Sequence, residues 1–249
     1  ENRPFRTPEG RLVFRPGGHG ALLSNLDDVG GDLVFIKNID NIVPDRLKDG
    51  TVRYKKVLGG ILVALQGEVY RFQRRLWVGG CGERDLSEIV RFCEEKLHVG
   101  FPSGFERRSL SDRSAFLQSK LARPLRVCGM VRNEGEPGGG PFWVLGDDGA
   151  PSLQIVEAFQ VDAESDVQKA RWAAATHFNP VDLVCGVRDA SGTPYDLSRF
   201  VDHRTACITE KSEKGRDLKA LELPGLWNGA MAFWNTVFVE VPIETFNPV

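Results

Sequence analysis

The sequence is poor in the features that mark secreted and membrane-spanning chains. Its 249 residues include five cysteines, and no two of them have the CxxC spacing of a zinc or redox motif. The cysteines are odd in number and widely separated, which favours reduced, mostly buried thiols over disulfides. No apolar run approaches the roughly 18 residues that a membrane-spanning helix needs, and the N-terminal residues lack a signal-peptide pattern. These absences favour a cytoplasmic protein.

The chain also lacks a charge excess of either sign. Lysine and arginine together number 32 against 34 aspartates and glutamates, which gives a net charge of −2. Such a balance offers no basic surface for nucleic acid or for an anionic membrane, so neither is expected as a partner. Hydrophobic residues make up 41% of the chain, enough for a sizeable core. Without repeats or low-complexity linkers, we expect a single domain over residues 1–249, and the sequence does not define its oligomeric state.

What the chain does have is a glycine-rich loop early in its sequence. Gly17, Gly18 and Gly20 surround His19 just before an amphipathic run that begins at Ala21. Backbone N–H groups in such a loop, together with a helix N-terminus, would face a bound phosphate. The pattern predicts a nucleotide-binding loop, although a tight structural turn would use the same glycines.

A short apolar run follows this loop and ends in polar residues. Residues 32–36 are typical of a strand in a parallel sheet that is buried on both faces. Asn38 and Asp40 come at its C-terminal end, the edge at which open α/β sheets bind ligands. The Asp40 carboxylate suits a divalent cation that bridges phosphates. The alternative is that Asp40 caps the next turn while Asn38 and Asn41 bind loop backbone.

Several segments resemble one enzyme family. Gly18-His19-Gly20 and Asn38-Ile39-Asp40-Asn41 are similar to the GHG and NIDN segments of the UDP-sugar pyrophosphorylases, which are nucleotidyltransferases of the GT-A type. Residues 138–140 and 153–160 resemble that family's Gly-Gly hairpin and the LVExxQ strand that follows it. The resemblance extends over roughly residues 14–249, and the residues identical to the family's motifs are concentrated in these segments.

Two further segments match more loosely. Residues 226–231 resemble the family's asparagine-containing sugar-pocket segment, and residues 246–249 resemble the stretch before its phosphate-binding lysine. Nothing here matches the family's first glycine-rich element, of type GGxGTRLG, so we expect an incomplete fragment of a longer protein. The chain departs from the pattern at Ala21, where the family has an acidic residue. Over its whole length it is most similar to a bacterial domain family of unknown function.

The resemblance implies a three-layer GT-A fold, of the nucleotide-diphospho-sugar transferase type, with a mixed sheet flanked by helices. It implies that a sugar 1-phosphate attacks the α-phosphorus of UTP, with Mg²⁺ held by Asp40, and that pyrophosphate leaves. The partners would be a nucleoside triphosphate or UDP-sugar and a sugar 1-phosphate. It assigns catalytic roles to His19 and Asp40. The nucleotide-binding residues would be Gly17, Gly18, His19, Gly20 and Asn38, and the sugar-binding residues Gly139, Gly140, Glu157 and Asn228.

Two other functions stay open. One is a catalytically inactive domain that binds a sugar nucleotide. The other is a GT-A glycosyltransferase, whose acidic metal motif would have to be Asp147-Asp148 in a predicted hairpin turn. Glu157 falls inside a predicted apolar strand, where a carboxylate needs a partner, or else lies on a strand edge facing water. The demanding prediction is that the loop at Gly18 and His19 meets Asp40, Gly139, Glu157 and Asn228 in one cleft.

Four local predictions concern the rest of the chain. Apolar spacing predicts helices over 84–98 and 112–122, the second capped by Ser111, as a helical insertion near 83–123. A helix over 55–66 is expected to break or kink at its glycine pair. A helix over 163–178 would be capped by Asp162. The charged run 210–217 is interpreted as a mobile loop.

Overall fold

A mixed α/β structure is described by the computed structural model for residues 3–15, 17–135 and 138–247, without the side chains of residues 179–181. Residues 246–249 were compared with the stretch before the family's phosphate-binding lysine. Of these, residues 248–249 lie outside the described residues. The strands are β1 (Leu33–Ile36), β2 (Leu125–Arg132), β3 (Gly140–Leu145), β4 (Pro151–Val156), β5 (His177–Gly186), β6 (Cys207–Glu213), β7 (Arg216–Glu222) and β8 (Asn235–Glu240). The α-helices are α1 (Leu23–Asp28), α2 (Lys48–Val78), α3 (Glu83–Glu95), α4 (Leu110–Leu121) and α5 (Asp166–Ala173).

The chain divides into two compact units. The first comprises Glu1–Val29 with Leu197–Phe233, and the second comprises Gly30–Asp196 with Trp234–Val249. Both units are assembled from segments that are distant in sequence, so neither is a contiguous piece of chain. Whether they form the single domain expected from the sequence stays a prediction.

The second unit contains a four-stranded sheet in the order β1-β5-β2-β8. β5 runs antiparallel to both β1 and β2, whereas β2 and β8 are parallel. The prediction that residues 32–36 form a buried strand of a parallel sheet is therefore wrong. β1 is an edge strand with an antiparallel neighbour, and Phe35 on it is 47% exposed. A four-residue apolar run carries too little pattern to specify its partner or its second face.

Helices cover one face of this sheet. α2 packs on β2 and β5, and α4 packs on α2 and α3. Their buried apolar side chains join those of the sheet in one core, which includes Leu58, Leu62, Phe72, Leu86, Ile89, Leu117, Leu121, Val127, Val131 and Val184. This core holds the sheet in place, and the residues after β1 follow its edge strand.

α2 continues unbroken through its glycine pair. A Cβ placed on Gly59 would lie 3.0 Å from Cζ of Phe35, so this glycine allows the helix to approach β1 closely. The predicted break was wrong because an apolar stripe before and after the pair, with Leu58 and Leu62 both buried, keeps the helix on the core.

The other helix predictions were partly right. α3 and α4 are present, but the α4 cap is Ser109, whose Oγ accepts a hydrogen bond from the Asp112 N–H at 3.1 Å, and not Ser111. α5 is shorter than predicted and is capped by Ser165 rather than Asp162. Phe178, expected at the end of that helix, lies in β5.

The first unit contains the largest correction. The charged run 210–217 is not a loop. It forms the turn of the antiparallel hairpin β6–β7 and the parts of both strands next to that turn. Lys214 and Gly215 have φ angles of 51° and 75°, the left-handed pair that a tight two-residue turn requires. Glu222 on β7 binds Lys211 on β6 at 2.9 Å. Alternating charges gave no apolar periodicity, so the sequence pattern hid the strands.

All five cysteines are free. Cys93, Cys128 and Cys185 are buried and the other two are half-buried, which confirms the prediction of reduced, mostly buried thiols. Burial raises the pKa of the Cys93 thiol to about 12 and that of the Cys128 thiol to about 11. Both are neutral at physiological pH and lack the thiolate that nucleophilic catalysis uses. Within the described part of the chain, no helix is both long enough and apolar enough to cross a membrane.

Candidate functional site

In the first unit the glycine loop packs against the segment after β7. The Leu226 N–H donates a hydrogen bond of 2.8 Å to Nδ1 of His19, and the Leu223 N–H donates one of 2.8 Å to the Gly17 carbonyl. The His19 ring is stacked on the Trp227 ring, with centroids 4.4 Å apart and an interplanar angle of 16°. The loop is thus held by two hydrogen bonds, one to its backbone and one to the His19 ring, and by one ring contact.

Glycines on both sides of this contact make it possible. A Cβ on Gly20 would lie 2.0 Å from the Pro224 carbonyl oxygen. A Cβ on Gly225 would lie 2.0 Å from Oδ1 of Asn228 and 2.6 Å from Cε1 of His19. His19 and Asn228 therefore meet over Gly225, although they were identified in segments at opposite ends of the sequence. Asn228 is buried, at 2% exposure.

The surroundings of the loop differ from the expected phosphate cradle. The loop enters a 3-10 turn, His19–Leu22, and the α-helix after it has only six residues, so a strong helix dipole is not available. A Cβ on Gly18 would lie 2.9 Å from Oε2 of Glu222. Hydrogen bonds from Lys211 and then from Thr209 hold the pKa of Glu222 below its usual range, so this carboxylate is ionised beside the loop. This contact was not predicted, because the β6–β7 hairpin that carries Glu222 was not predicted.

In the second unit the residues after β1 form a tight turn. Asn38 Oδ1 accepts a hydrogen bond from the Asp40 N–H at 3.3 Å, and the Asn41 N–H donates to the Asn38 carbonyl at 3.1 Å. Asn41 is buried; its Nδ2 donates to the Thr245 carbonyl at 3.3 Å, and its Oδ1 accepts from the Asn247 N–H at 2.6 Å. Both asparagines thus bind loop backbone, which was the alternative interpretation, and Asp40 is left exposed.

The donor set at this turn suits magnesium only in part. Among the described residues, no group of three or more histidine, cysteine, aspartate or glutamate side chains is placed to hold a metal ion. Mg²⁺ is usually bound by one or two carboxylates together with substrate phosphates and water. A role for Asp40 in holding Mg²⁺ together with a phosphorylated substrate stays a prediction.

Two lysines converge on a buried aspartate at the same end of β1. Nζ of Lys37 lies 3.2 Å from Oδ2 of Asp182, and Nζ of Lys55 lies 3.2 Å from its Oδ1. Asp182 is 3% exposed. Sequence reasoning missed Asp182, which lies in an otherwise apolar strand; a carboxylate at such a position signals a buried charge partner.

A pocket of about 210 Å³ lies beside the predicted Gly-Gly hairpin in the second unit. Gly138, Gly139 and Gly140 line it, together with the stacked rings of Phe142 and Trp172, whose centroids are 5.4 Å apart. The two glycines assigned to sugar binding thus lie on the wall of a pocket that has aromatic and backbone surfaces.

A charged group adjoins this pocket. His177, which lines it, has Nε2 at 3.1 Å from Oε2 of Glu240, and Nε of Arg132 donates to Oε1 of Glu240 at 3.2 Å. The hydrogen bonds from His177 and then from Arg132 hold the pKa of Glu240 below its usual range. The ionised carboxylate fixes the orientation of the His177 ring at the pocket wall.

Of two acidic candidates, Glu157 has a different position from that expected, whereas Asp148 lies in the predicted hairpin turn. Glu157 does not lie within a strand but directly after β4, half-buried, and its N–H donates to Oε1 of Gln160 at 2.9 Å. Its neighbour Ala158 lines the pocket. Asp148 lies in the β3–β4 turn, where it binds Nζ of Lys120 at 2.6 Å and accepts from the Ala150 N–H at 3.0 Å. These contacts give Asp148 a structural role.

The structure thus brings some of the predicted residues together and divides the others between the two units. His19 and Asn228 meet in the first unit. Asp40, Gly139, Gly140 and Glu157 belong to the second unit, where the two glycines line the pocket. One cleft shared by both sets stays a prediction.

Comparison with known proteins gives one family match. The family described as "Domain of unknown function (DUF4301)" matches residues 1–249. No curated protein matches the chain. Among solved structures, two mutant forms of UDP-glucose pyrophosphorylase from Leishmania major, both in complex with UDP-glucose, match with 15% and 14% identity and TM-scores of 0.38 and 0.40. Each match covers 99% of this chain and 44% of the other.

A structure named UDP-glucose phosphorylase from Trypanosoma brucei is similar over a shorter part. It is 17% identical with a TM-score of 0.33, and the match covers 56% of this chain and 29% of that one. The chain therefore spans less than half the length of these solved structures.

Proposed function

The chain belongs to the DUF4301 family, and we propose that it binds a nucleotide sugar as the nucleotidyltransferase-like domain of a UDP-sugar pyrophosphorylase-like enzyme. In the whole protein the reaction would join a nucleoside triphosphate to a sugar 1-phosphate and release pyrophosphate. Catalysis of this kind depends on positioning and on electrostatic stabilisation more than on a protein nucleophile.

The observation that carries the proposal is the meeting of His19 with Asn228. The resemblance assigned one to the nucleotide phosphates and the other to the sugar, from segments at opposite ends of the chain. Their packing over Gly225, where a Cβ would lie 2.0 Å from Oδ1 of Asn228 and 2.6 Å from Cε1 of His19, leaves no room for any larger residue. Such close contact supports one binding surface rather than two unrelated turns.

Two features of the second unit support the sugar and phosphate parts of the proposal. The Gly139 and Gly140 backbone lines a pocket with an aromatic pair, a combination suited to a ring with hydroxyl groups. Asp40 is exposed after β1 and would hold Mg²⁺ together with the substrate's phosphate oxygens. The bound cation would neutralise charge that develops on the phosphates.

Calorimetric titration tests the proposal directly. We expect UDP-glucose, UDP-N-acetylglucosamine or UTP to bind in the presence of Mg²⁺, and we expect His19→Ala and Asn228→Ala both to weaken that binding. His203→Ala, an exposed histidine in the same unit, serves as the matched control. If none of the three nucleotides binds, or if only the control variant is affected, the proposal is wrong.

One observation favours a second candidate, a sugar-nucleotide-binding domain without transferase activity. The ionised Glu222 beside Gly18 repels a phosphate at the loop, which suits a site that no longer stabilises a transition state. Exchange of labelled pyrophosphate into a nucleoside triphosphate by the whole protein separates the two candidates. Binding without exchange, for every sugar 1-phosphate tried, would identify the inactive domain.

A further inference from the structure

The pocket beside the Gly-Gly hairpin is small and almost free of charged side chains. Its volume of about 210 Å³ lies below the roughly 300–1,000 Å³ of sites that hold a whole drug-sized ligand. It therefore suits a single ring rather than an entire nucleotide. Among the described residues that line it, none is an aspartate, glutamate, lysine or arginine, and His177 is the one titratable side chain.

The imidazole of His177 is already engaged within the protein. Its Nε2 lies 3.1 Å from Oε2 of Glu240, and its Nδ1 lies 2.9 Å from Oγ1 of Thr176. Hydrogen bonds to a ligand are thus left to the backbone of the pocket and to Asn133. Oδ1 of Asn133 accepts from the Gly135 N–H at 2.8 Å, whereas its Nδ2, which carries two N–H donors, has no partner among the described residues.

Trp172 differs from the other residues of its helix. No side chain of α5 is buried, and of its eight residues, all of them described, Trp172 is the one that is not exposed. Its indole lies nearly parallel to the Phe142 ring, with an interplanar angle of 8°. A tryptophan that only fills a hydrophobic core would be buried, but this half-buried ring forms part of a pocket wall. The two rings together give that wall a flat apolar surface.

The glycine that begins β3 keeps the space beside these rings open. A Cβ on Gly140 would lie 2.8 Å from the His177 carbonyl oxygen and 3.5 Å from Cε2 of Phe142. Any side chain at this position would therefore press on the Phe142 ring and narrow the pocket.

From this arrangement we propose that Trp172 is the specificity-determining residue of the pocket, and that the ligand it selects is an uncharged pyranose ring. The apolar C–H face of the sugar packs on the indole, and its hydroxyl groups bind the glycine backbone and Asn133. A sugar with a carboxylate is disfavoured, because the carboxylate loses its water without gaining a cationic partner. The inference rests on the proposed function, which puts the sugar of the nucleotide in this pocket.

Two tryptophans in the second unit provide a matched pair of variants. Trp172→Ala removes the stacking ring, and Trp172→Phe keeps a smaller aromatic ring at the same position. Trp143→Ala is the control, because Trp143 follows Phe142 on β3, points to the other face of the hairpin and is 57% exposed. Thermal unfolding of each variant shows whether the fold is intact, and Trp172→Phe keeps the test decisive if Trp172→Ala does not fold.

Calorimetry with UDP, UDP-glucose and UDP-glucuronic acid isolates the contribution of the sugar. We expect Trp172→Ala to weaken UDP-glucose binding about tenfold and to leave UDP binding unchanged, Trp172→Phe to retain most of the affinity, and Trp143→Ala to change neither. The unmodified protein should bind UDP-glucuronic acid about tenfold more weakly than UDP-glucose. Equal losses for UDP and UDP-glucose would show that Trp172 only anchors α5, and equal affinities for the two sugars would contradict the charge argument; either result overturns the inference.

Glucose 1-phosphate separates this inference from the proposed function. If no nucleotide binds, but glucose 1-phosphate binds and is weakened about tenfold by Trp172→Ala, the proposed function fails and the role of Trp172 stands. If UDP-glucose binding depends on His19 and Asn228 but not on Trp172, the inference fails and the proposed function stands. If neither UDP-glucose nor glucose 1-phosphate binds, both are wrong.

Discussion

His19 and Trp227 lie face to face, with ring centroids 4.4 Å apart, and the backbone N–H of Leu226 donates to Nδ1 of the same histidine at 2.8 Å. The two contacts fix both the plane of the imidazole and the role of one of its nitrogens. Nδ1 is therefore occupied within the protein and does not act toward a ligand.

The first prediction concerns the protonation of this ring. A ring nitrogen that accepts an N–H hydrogen bond carries no proton, so His19 should be neutral with its proton on Nε2. Long-range ¹⁵N–¹H correlation NMR at neutral pH should show this tautomer for the signal that disappears in His19→Ala. A proton found on Nδ1 would contradict the hydrogen bond from Leu226.

The second prediction concerns Glu222. Its ionised carboxylate lies where it opposes a phosphate at Gly18, so Glu222→Gln should strengthen binding of UTP by about fivefold at low salt, equivalent to roughly 1 kcal/mol for a screened charge pair. Glu213→Gln, on the same hairpin and paired with Arg15 at 2.8 Å, is the control. Equal effects of both substitutions, or none, would show that the nucleotide phosphates bind elsewhere.

The third prediction follows from the lowered pKa of Glu222. Hydrogen bonds from Lys211 and Thr209 favour the charged form in the folded state, against an ordinary value of 4.5. The carboxylate's contribution to stability is therefore fully present above that value and is lost as the pH falls through the lower pKa of the folded state. Urea unfolding between neutral and acidic pH should show a smaller decline for Glu222→Gln than for the unmodified protein. An identical decline would contradict this assignment.

The fourth prediction concerns metal binding. Asp40→Asn should weaken the Mg²⁺-dependent part of UDP-glucose binding, because a neutral amide replaces the anionic ligand that a hard cation prefers. Asp45→Asn, an exposed carboxylate close by in sequence that pairs with Lys48, serves as the control. Titrations with and without Mg²⁺ isolate the effect, and an unchanged Mg²⁺ dependence would remove Asp40 from the metal site.

The fifth prediction compares two glycines. Gly60→Ala should stabilise the protein by about 0.5–1 kcal/mol, because nothing lies within 4 Å of the added methyl group and alanine favours the helix. Gly20→Ala should destabilise it by roughly 1–3 kcal/mol, because the methyl group would lie 2.0 Å from the Pro224 carbonyl oxygen. Urea denaturation measures both; the same sign for the two variants would contradict the packing described at Gly20.

The sequence allowed prediction of those elements whose pattern is set by burial. α3 and α4 have apolar residues at helical spacing, and both appear within two or three residues of the predicted limits. β1 and the β6–β7 hairpin depend on partners that are distant in the sequence. The four residues of β1 do not encode an antiparallel neighbour, and the charges of the hairpin are satisfied only by pairs such as Lys211 with Glu222.

The candidate site shows the same division. Motif resemblance identified His19 and Asn228, which the fold places against one glycine. It did not identify Asp182, Trp172 or His177, because a buried ion pair, a stacked ring and a pocket wall are defined by tertiary contacts. Glu157 was placed inside a strand because its segment is apolar, yet β4 ends at Val156.

The hydrogen bonds of Asn41 affect how any ligand binds at the Asn38–Asn41 turn. The hydrogen bonds from its Nδ2 to the Thr245 carbonyl and from the Asn247 N–H to its Oδ1 join the turn to a segment far along the chain. The shape of the Asn38–Asn41 turn is therefore established when the protein folds and does not have to be created by the ligand. A phosphate or cation that binds at Asp40 meets a preorganised backbone, so little conformational entropy is lost on binding and affinity depends on the fit of charge and distance.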